Sequence, residues 1–593
     1  MCILKKILFV FLMLKLLVYG DILNESERIY LKNEKRQELE RIKKEFDSKE
    51  EVNKNIKLSQ DKDNNENMFY IEKITLIDNE MLLNDLEKEN VLKKYSNQKL
   101  GKTKITNLLI ELTNKLISKG YITSSVTIAD NNDLKSKELI LEVIPGRIEK
   151  IVLNDNSNLD RLKLFLLLKP VENEVLNVRD LDTTTENFNY LESNDIKFEI
   201  KPGTKENYSI IEAKNKKKEK VIISLLTNNY GEDKQNSLWR YGGSVNVDSP
   251  LGIEDKLYFS YMTVDKKKPD RSWKDSPDVL QPGEILPIGP PGYDPSKGDT
   301  LPYKRILDLY NFRYTLKFTD YSLITSIYKT NKESSFYTGN TVYDLHSINK
   351  TYEIKLEKNL WRNQKSKINL AIGIKRRHDR NYLETATLSD RVISVGLVNL
   401  YGSTIVYNGV LNTTFGYERG MRVLGAERDG GKLETTPKAQ FNKFIFNVYY
   451  YRPFKENFIY RFNLMSSYSK DVLYGSEEQS IGGVGSIGGF HRTGTIQGEK
   501  AIEIGNEISY KLLDSEKYGR LEPYINYGYG FVKNNKDSSK YSKGHISGTN
   551  IGVRYNYKYF EFDAAYGIPF NYSNYLNPKK MEFYVSSGIK IKF

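Results

Sequence analysis

The chain has 593 residues, a formal net charge of +13, 43 tyrosines, 3 tryptophans and 1 cysteine. That length points to several domains, and the lone Cys2 lies inside an N-terminal apolar segment, so a disulfide scaffold and thiol-based metal or nucleophile chemistry are excluded in the chain beyond that segment. The basic residues are spread along the chain rather than gathered on one helix or arm, which argues against nucleic acid as a partner.

Residues 1–20 have a short basic start, an apolar stretch interrupted by Lys15, and Val18-Tyr19-Gly20 near a cleavage point. This predicts a secretory signal peptide. No later apolar run approaches the roughly 18 residues of a spanning helix. Any membrane spanning by this exported chain therefore falls to a β-barrel. Residues 21–47 predict a helix whose apolar positions are Ile29, Leu31, Leu39, Ile42 and Phe46. A helix charged almost all round does not belong in a core. At 1.5 Å per residue it reaches roughly 39 Å. Residues 48–68, with D-K-D-N-N-E-N, read as a flexible linker.

Residues 69–146 form a first compact unit. Ile71, Ile74, Leu76 and Ile77 predict a strand. Ile105, Leu108, Leu109, Leu112 and Leu116 recur at helical spacing up to a stop at Lys119-Gly120. Two strands follow, Tyr121 to Ile128 and Glu138 to Val143. Residues 147–214 repeat the plan: Asn177 is the expected N-cap of a helix opening at Val178-Arg179-Asp180-Leu181, and a strand runs from Ile196 to Ile200.

The β-α-α-β-β order of the first unit resembles a polypeptide-transport-associated (POTRA) domain. G-Y-I-T-S-S-V-T-I (120–128) and P-G-R-I-E-K-I (145–151) are similar to the first POTRA domain of two-partner secretion transporters, the haemolysin-activator/haemagglutinin-secretion (ShlB/FhaC/HecB-like) family. Asn177-Val178-Arg179-Asp180-Leu181 and Lys201-Pro202-Gly203 resemble motifs of its second POTRA domain. Such units act either as spacers or as docking edges, where an exposed strand accepts an extended client through main-chain bonds. The resemblance implies a client-binding region at Gly120, Tyr121, Ile122, Thr123, Asn177, Arg179 and Asp180. It also implies that the helix at 21–47 threads the barrel as a plug.

From Val221 to Phe593 short alternating segments take over. Ile368, Leu370, Ile372 and Ile374 alternate with Asn369, Ala371, Gly373 and Lys375; Phe583, Val585, Ile589 and Ile591 alternate with polar residues. One apolar and one polar face suit a lipid-facing strand with a wet lumen, and the segments number about 16. The expected fold is α+β POTRA domains followed by a transmembrane antiparallel β-barrel (221–593). Long loops are expected at 264–304, 376–391, 417–441 and 469–500. A soluble β-sandwich would leave so long a run of strand and turn unexplained. T-N-N-Y-G (227–231), S-P-L-G-I-E-D-K-L (249–257), R-N-Y-L (380–383), Y-E-R-G-M-R-V-L-G-A (417–426) and the terminal Phe593 are further landmarks that resemble the family.

Ser480 to Glu507 holds eight glycines, punctuated by Ile481, Val484, Ile487, Phe490 and Ile496. It has neither the strand-to-helix setting nor the Gly-Lys-Ser/Thr ending of a phosphate loop. It resembles the inward-folded loop of the same family. There an Arg of the loop pairs with the Asp of an Asp-x-Gly motif on a barrel strand. Here the Arg position in Ile487-Gly488-Gly489-Phe490 is Gly488, and the Asp-x-Gly slot is Gly528-Tyr529-Gly530. Losing one partner alone would strand a buried charge, at about 3–5 kcal/mol; losing both avoids that. The loop is then expected to be held by Phe490, tyrosines and main-chain bonds, with Arg492 substituting from nearby.

His346, His378, His491 and His545 make no metal-ligand spacing, and no G-x-S-x-G is present. The sequence predicts neither an enzyme nor a cofactor. The resemblance implies outer-membrane export of a large unfolded exoprotein carrying an N-terminal secretion domain. Further partners would be outer-membrane lipid and, during biogenesis, the barrel-assembly machinery. A POTRA-barrel insertase is the alternative, though insertases usually carry more POTRA domains and no plug helix. A passive porin lacks POTRA domains.

Overall fold

The computed structural model describes residues 43, 56–58 and 68–593, except 131, 133–135, 154–157, 170, 232–238, 265–304, 339, 340, 364, 484, 491–494, 538 and 540. The expected signal peptide, most of the expected plug helix and linker, and the Pro/Gly loop beyond Val264 lie outside the described residues. Lys43 is helical and buried, and its Nζ donates to Asn408 Oδ1 at 3.0 Å.

The first unit contains β1 (Phe69–Ile71), β2 (Lys73–Ile77), α1 (Asp85–Leu92), β3 (Gln98–Leu100), α2 (Lys102–Lys119), β4 (Ser125–Ile128) and β5 (Glu138–Ile144). Its main sheet runs β2-β5-β4, with β2 parallel and β4 antiparallel to β5. Leu108, Leu112 and Leu116 share one face of α2 and bury completely with Leu139 and Leu141 of β5. Each such side chain contributes about 1.5–3 kcal/mol. An Asn84–Glu87 capping box starts α1. Gly120 ends α2 at φ +103°, in the left-handed region that favours glycine.

The second unit follows with β6 (Arg147–Leu153), α3 (Asn158–Leu167), α4 (Val178–Asn189), β7 (Ile196–Pro202) and β8 (Tyr208–Asn215), in sheet order β6-β8-β7. Asn177 caps α4 by accepting from Arg179 N at 2.9 Å.

The barrel strands are β9 (Val221–Asn228), β10 (Arg240–Asp248), β11 (Lys256–Val264), β12 (Arg305–Phe318), β13 (Tyr321–Thr338), β14 (Thr341–Arg362), β15 (Ser366–Leu383), β16 (Ala386–Val406), β17 (Gly409–Met421), β18 (Asn442–Phe454) and β19 (Phe458–Ser469). A small hairpin, β20 (Gln479–Ile481) and β21 (Ile496–Gly498), interrupts them. Then come β22 (Lys500–Tyr510), the short β23 (Leu513–Ser515), β24 (Gly519–Lys533), β25 (Lys543–Tyr557), β26 (Phe560–Tyr572) and β27 (Glu582–Lys592). Sixteen antiparallel strands close into a barrel when β27 pairs with β9, Ser586 opposite Asn228 through Lys592 opposite Ile222. The alternation expected on β15 is present: Ile372 is 56% exposed on the outer face while Ala371 is buried.

The loop expected at 376–391 is instead ordered strand. β15 runs to Leu383 and β16 begins at Ala386, with Arg377 opposite Ile393 and Asp379 opposite Arg391. The many charges of this stretch are satisfied across the ladder and in the lumen, as by His378 Nε2 and Asp390 Oδ1 at 2.5 Å. In the stretch expected as a loop at 417–441, β17 continues to Met421. The stretch 469–500 carries the β20–β21 hairpin.

The second unit is fastened to the near end of the barrel. Thr319 N donates to Leu166 O at 2.8 Å, Asn187 Nδ2 donates to Thr319 O at 2.6 Å, and Ser193 N donates to Asp248 Oδ2 at 2.8 Å. Lys163 pairs with Glu254 at 2.5 Å, both buried. Glu186 of α4 sits between Lys367 at 2.6 Å and Arg362 at 2.8 Å. Burial pushes the Glu186 carboxyl up, but Lys367, Arg362 and Lys317 outweigh it and hold the group well below its usual value of 4.5.

A depressed carboxylate stabilises the docked form above its unfolded pKa, and that contribution is lost as pH falls through the folded value. Docking of the second unit should therefore be full at neutral pH and weaken only in acid below about the ordinary carboxylate range. Glu186→Gln should weaken it at neutral pH by about 3 kcal/mol. Amide exchange in α4 and at Ser193 of the full-length protein should speed up; unchanged exchange would show that the uncharged contacts carry the docking.

Candidate functional site

Between β19 and β22 the chain turns inward and lines the lumen. The β20–β21 hairpin pairs Ile481 with Ile496. Ile481, Ile487, Phe490 and Ile496 then form one buried cluster with Ala501, Val532 and Ile546 of the wall. Alternation explains why the wall can receive them. On β24, Ile525, Tyr527 and Tyr529 face outward and are exposed, whereas Gly528 and Gly530 face the lumen.

The seam is closer than side chains permit. A Cβ at Gly528 would lie 2.9 Å from Ile487 Cγ1, and one at Gly530 would lie 2.4 Å from Ile481 Cγ2. A Cβ at Gly488 would lie 2.0 Å from the main-chain O of Thr549, and one at Gly548 would lie 2.1 Å from Gly488 O. Gly489, at φ +82°, nests against Pro569 of β26. Its N–H donates to the Tyr584 hydroxyl at 3.1 Å. Phe490 meets Tyr572 edge-on at 5.9 Å, and its carbonyl accepts from Gly483 N at 3.2 Å.

The two glycines at the expected ion-pair positions therefore belong to one packing solution. Loop and wall approach so closely that neither an Arg at 488 nor an Asp at 528 fits between them. Tyr529 points away from the seam, and Arg492 lies outside the described residues.

An ionic latch holds the other end of the segment, and sequence reasoning missed it. Glu477 is buried and meets Arg377 Nη1 at 2.9 Å, Lys375 Nζ at 3.1 Å and Lys443 Nζ at 3.5 Å. Lys443 also pairs with Glu418 at 2.7 Å, and Arg377 donates to the Ser476 carbonyl. Two carboxylates thus share three cations drawn from β15 and β18. The available signal was Lys375 and Arg377 in continuous alternation with the lumen-facing Ala371 and Gly373. Glu499, next to β21, accepts from Leu473 N at 3.2 Å and Asn535 N at 2.7 Å, tying the two bases of the segment together.

Nearer the second unit, the wall carries a separate network. Arg554 stacks 3.5 Å over the Tyr524 ring and pairs with Glu507 at 2.7 Å and Asp563 at 3.2 Å. Arg461 joins Glu507 at 3.0 Å and Glu522 at 2.8 Å.

The predicted client-binding residues of the small units meet at the joint between them. Asn177 Oδ1 occupies the space where Gly120 would carry a Cβ, 2.2 Å away, and Val178 N donates to Gly120 O at 3.0 Å. Tyr121 packs on the first core and Ile122 on the second. Thr123 lies against Gly146. Arg179 pairs with Asp182 at 3.5 Å, and Asp180 meets Lys169 at 3.0 Å.

Gly488→Arg should unseat the segment and raise single-channel conductance in planar bilayers. Adding Gly528→Asp should not restore the closed level, because the obstruction at 488 is a main-chain carbonyl; restoration would refute the steric account. Glu477→Gln should also raise conductance, since breaking a buried charge network costs about 3–5 kcal/mol. Wild-type conductance in that variant would mean the apolar seam alone holds the segment.

Residues 207–555 match the family model described as "Haemolysin secretion/activation protein ShlB/FhaC/HecB". Residues 69–146 match the ShlB-type POTRA domain, and residues 147–202 match a further POTRA domain. The chain is similar to the outer membrane transporter CdiB of Dickeya dadantii (strain 3937), 24% identical over 486 residues, covering 82% of this chain and 80% of that one. It is also similar to the hemolysin transporter protein HpmB of Proteus mirabilis, 23% identical over 517 residues, 84% and 81% of the two chains. The solved structure of CdiB from Escherichia coli superposes with a TM-score of 0.81 at 21% identity, covering 96% of this chain and all of that one, a likeness of fold. With a matching barrel, a matching POTRA pair and an inward loop between β19 and β22 packed on the barrel wall, the chain belongs to the ShlB/FhaC/HecB family of haemolysin secretion and activation proteins.

Proposed function

We propose that this protein is the outer-membrane transporter of a two-partner (type V) secretion system, translocating a large unfolded exoprotein through its barrel. The barrel lies in the bacterial outer membrane with both POTRA domains in the periplasm. One observation carries the reading: a family barrel with a segment seated on its inner wall at a glycine seam and an ionic latch, and a POTRA domain fastened at its near mouth. Such a lumen is closed at rest and opens by displacing one segment.

The exoprotein presents an N-terminal secretion domain to the POTRA pair. β4 and β7 are outer strands of their sheets, and their outward main-chain groups suit an extended client of variable sequence. The joint at Gly120–Thr123 and Asn177–Asp180 sets the angle between these edges. The N-terminal helix leaves the lumen as the client enters. No nucleotide is available in the periplasm, so client folding outside the cell supplies direction. The protein acts by binding and gating, without covalent chemistry. The barrel-assembly machinery acts on the chain during biogenesis, and Phe593 N donates to Val221 O at 2.8 Å where the barrel closes.

The test is export of the cognate exoprotein with and without residues 69–214. The client should reach the medium only with the intact transporter. Unchanged export, together with general loss of outer-membrane barrels when the gene is deleted, would identify an insertase instead.

A further inference from the structure

The junction that closes the barrel has a short side. β27 extends from Glu582 to Lys592, but β9 ends at Asn228, opposite Ser586. Residues 582–585 therefore pair with β26 on one flank and run past the end of β9 on the other. Val221 and Phe593 exchange two main-chain bonds, so alternation along the antiparallel ladder turns the main-chain groups of Val585 and Phe583 toward the β9 side as well. Phe583 is 42% exposed and meets Tyr566 on the outer face at 4.9 Å, so this part of the junction borders lipid. Polar main-chain groups left open there have no water to bond.

Asn229, which is buried, fills the gap with its side chain. Its main-chain N donates to Val585 O at 3.1 Å, as a ladder residue would. The return bond goes to the side chain instead: Val585 N donates to Asn229 Oδ1 at 2.8 Å. Asn229 Nδ2 then donates to Phe583 O at 2.9 Å, the bond that the main-chain N of residue 231 would supply if β9 continued. One amide side chain thus stands in for a carbonyl and an N–H of strand. The chain meanwhile leaves the sheet. Tyr230 N donates to Asn228 Oδ1 at 3.1 Å, and the Tyr230 ring buries against Tyr524, Ala565 and Tyr584. Within the T-N-N-Y-G stretch (227–231), Asn228 turns the chain, Asn229 clasps β27 and Tyr230 packs on Tyr584.

Tyr584 stands between the two clasped residues and turns its ring to the lumen, where it is buried. Its hydroxyl donates to Glu582 Oε2 at 2.7 Å and accepts from Gly489 N at 3.1 Å. With its hydrogen committed to Glu582, the oxygen presents a lone pair to the loop tip. A Cβ at Gly567 would lie 2.5 Å from both Gly489 N and Tyr584 Cε2, so ring and loop tip share one contact surface on β26. We propose that Asn229 is a positioning residue for the inward loop: by clasping Phe583 and Val585 it fixes Tyr584, and Tyr584 holds Gly489. The consequence for export rests on the transporter reading above; the seating of the loop tip does not.

The test is amide exchange of the full-length protein in nanodiscs, read by mass spectrometry on peptides covering 486–490 and 583–587. Asn229→Ala should speed exchange in both peptides about tenfold, the factor expected from losing a buried hydrogen bond. Tyr584→Phe should speed only the loop peptide, by a similar factor. The double variant should exchange there no faster than the faster single one, because both act through the same bond; multiplied effects would overturn the route through Tyr584. Wild-type exchange at 486–490 in Asn229→Ala would overturn the positioning role and leave Asn229 a contact of the junction alone. Heat-modifiable gel migration checks that each barrel has assembled. If Asn229→Ala assembles poorly, Asn229→Asp takes its place, keeping the acceptor for Val585 N and losing the donor to Phe583 O. It should give a smaller shift in the same two peptides, and no shift at 486–490 would again overturn the proposal. Export of the exoprotein is assayed separately: the expected exchange with unaltered export would uphold the positioning role and count against the loop's part in transport.

Discussion

Everything in this molecule depends on closing the backbone ladder. Inside a bilayer no water satisfies an open strand edge, so spanning strands must pair all the way round. The β27–β9 pairing completes that circuit, and Phe593 and Val221 exchange the last main-chain bonds at 2.8 and 3.1 Å. Once the ring is closed, alternation divides each strand into a lipid side and a lumen side. The lumen side is then free to be small, charged or bare according to function.

The lumen uses that freedom in two ways. Along β24, β25 and β26 the wall is stripped to Gly528, Gly530, Gly548 and Gly567, so a second layer of backbone can lie against it. Ile481, Ile487 and Phe490 fill the seam and are fully buried there. At the other end of the segment Glu477 enters a ring of cations. The apolar seam is short-ranged and all-or-none, while the charged latch acts over a longer distance. A segment held by both is seated at its two ends by contacts of different kinds. The near mouth follows similar logic: Glu186 between Lys367 and Arg362, and Lys163 against Glu254, join the second POTRA domain to the barrel turns.

Much of this architecture is legible in the chain itself. The helical spacing of Leu108, Leu112 and Leu116, the Asn177 cap, the stop at Gly120 and the alternation of Ile368 to Lys375 each depend on near neighbours. Such local patterns suffice for POTRA units followed by a barrel of about 16 strands. The stretch 376–391 misleads because dense charge normally marks a loop. Those residues form the end of β15 and the start of β16, with charges divided between lumen and outer rim.

Contiguous residues alone specify the elements and their order, because periodicity and caps are local properties, and the motif around Phe490 marks the inward-folding segment through its resemblance to the family. They also show that the expected Arg and Asp positions are both glycine. The reason for those glycines emerges only in the assembled fold. Gly488 meets Thr549, Ile487 meets Gly528, and Glu477 reaches Lys375, contacts between residues far apart in the chain whose register is set by closure of the barrel. Close packing and the hydrogen-bonded contacts of an ion pair both need atoms within a few ångströms, and no local pattern encodes which distant residues come within that reach.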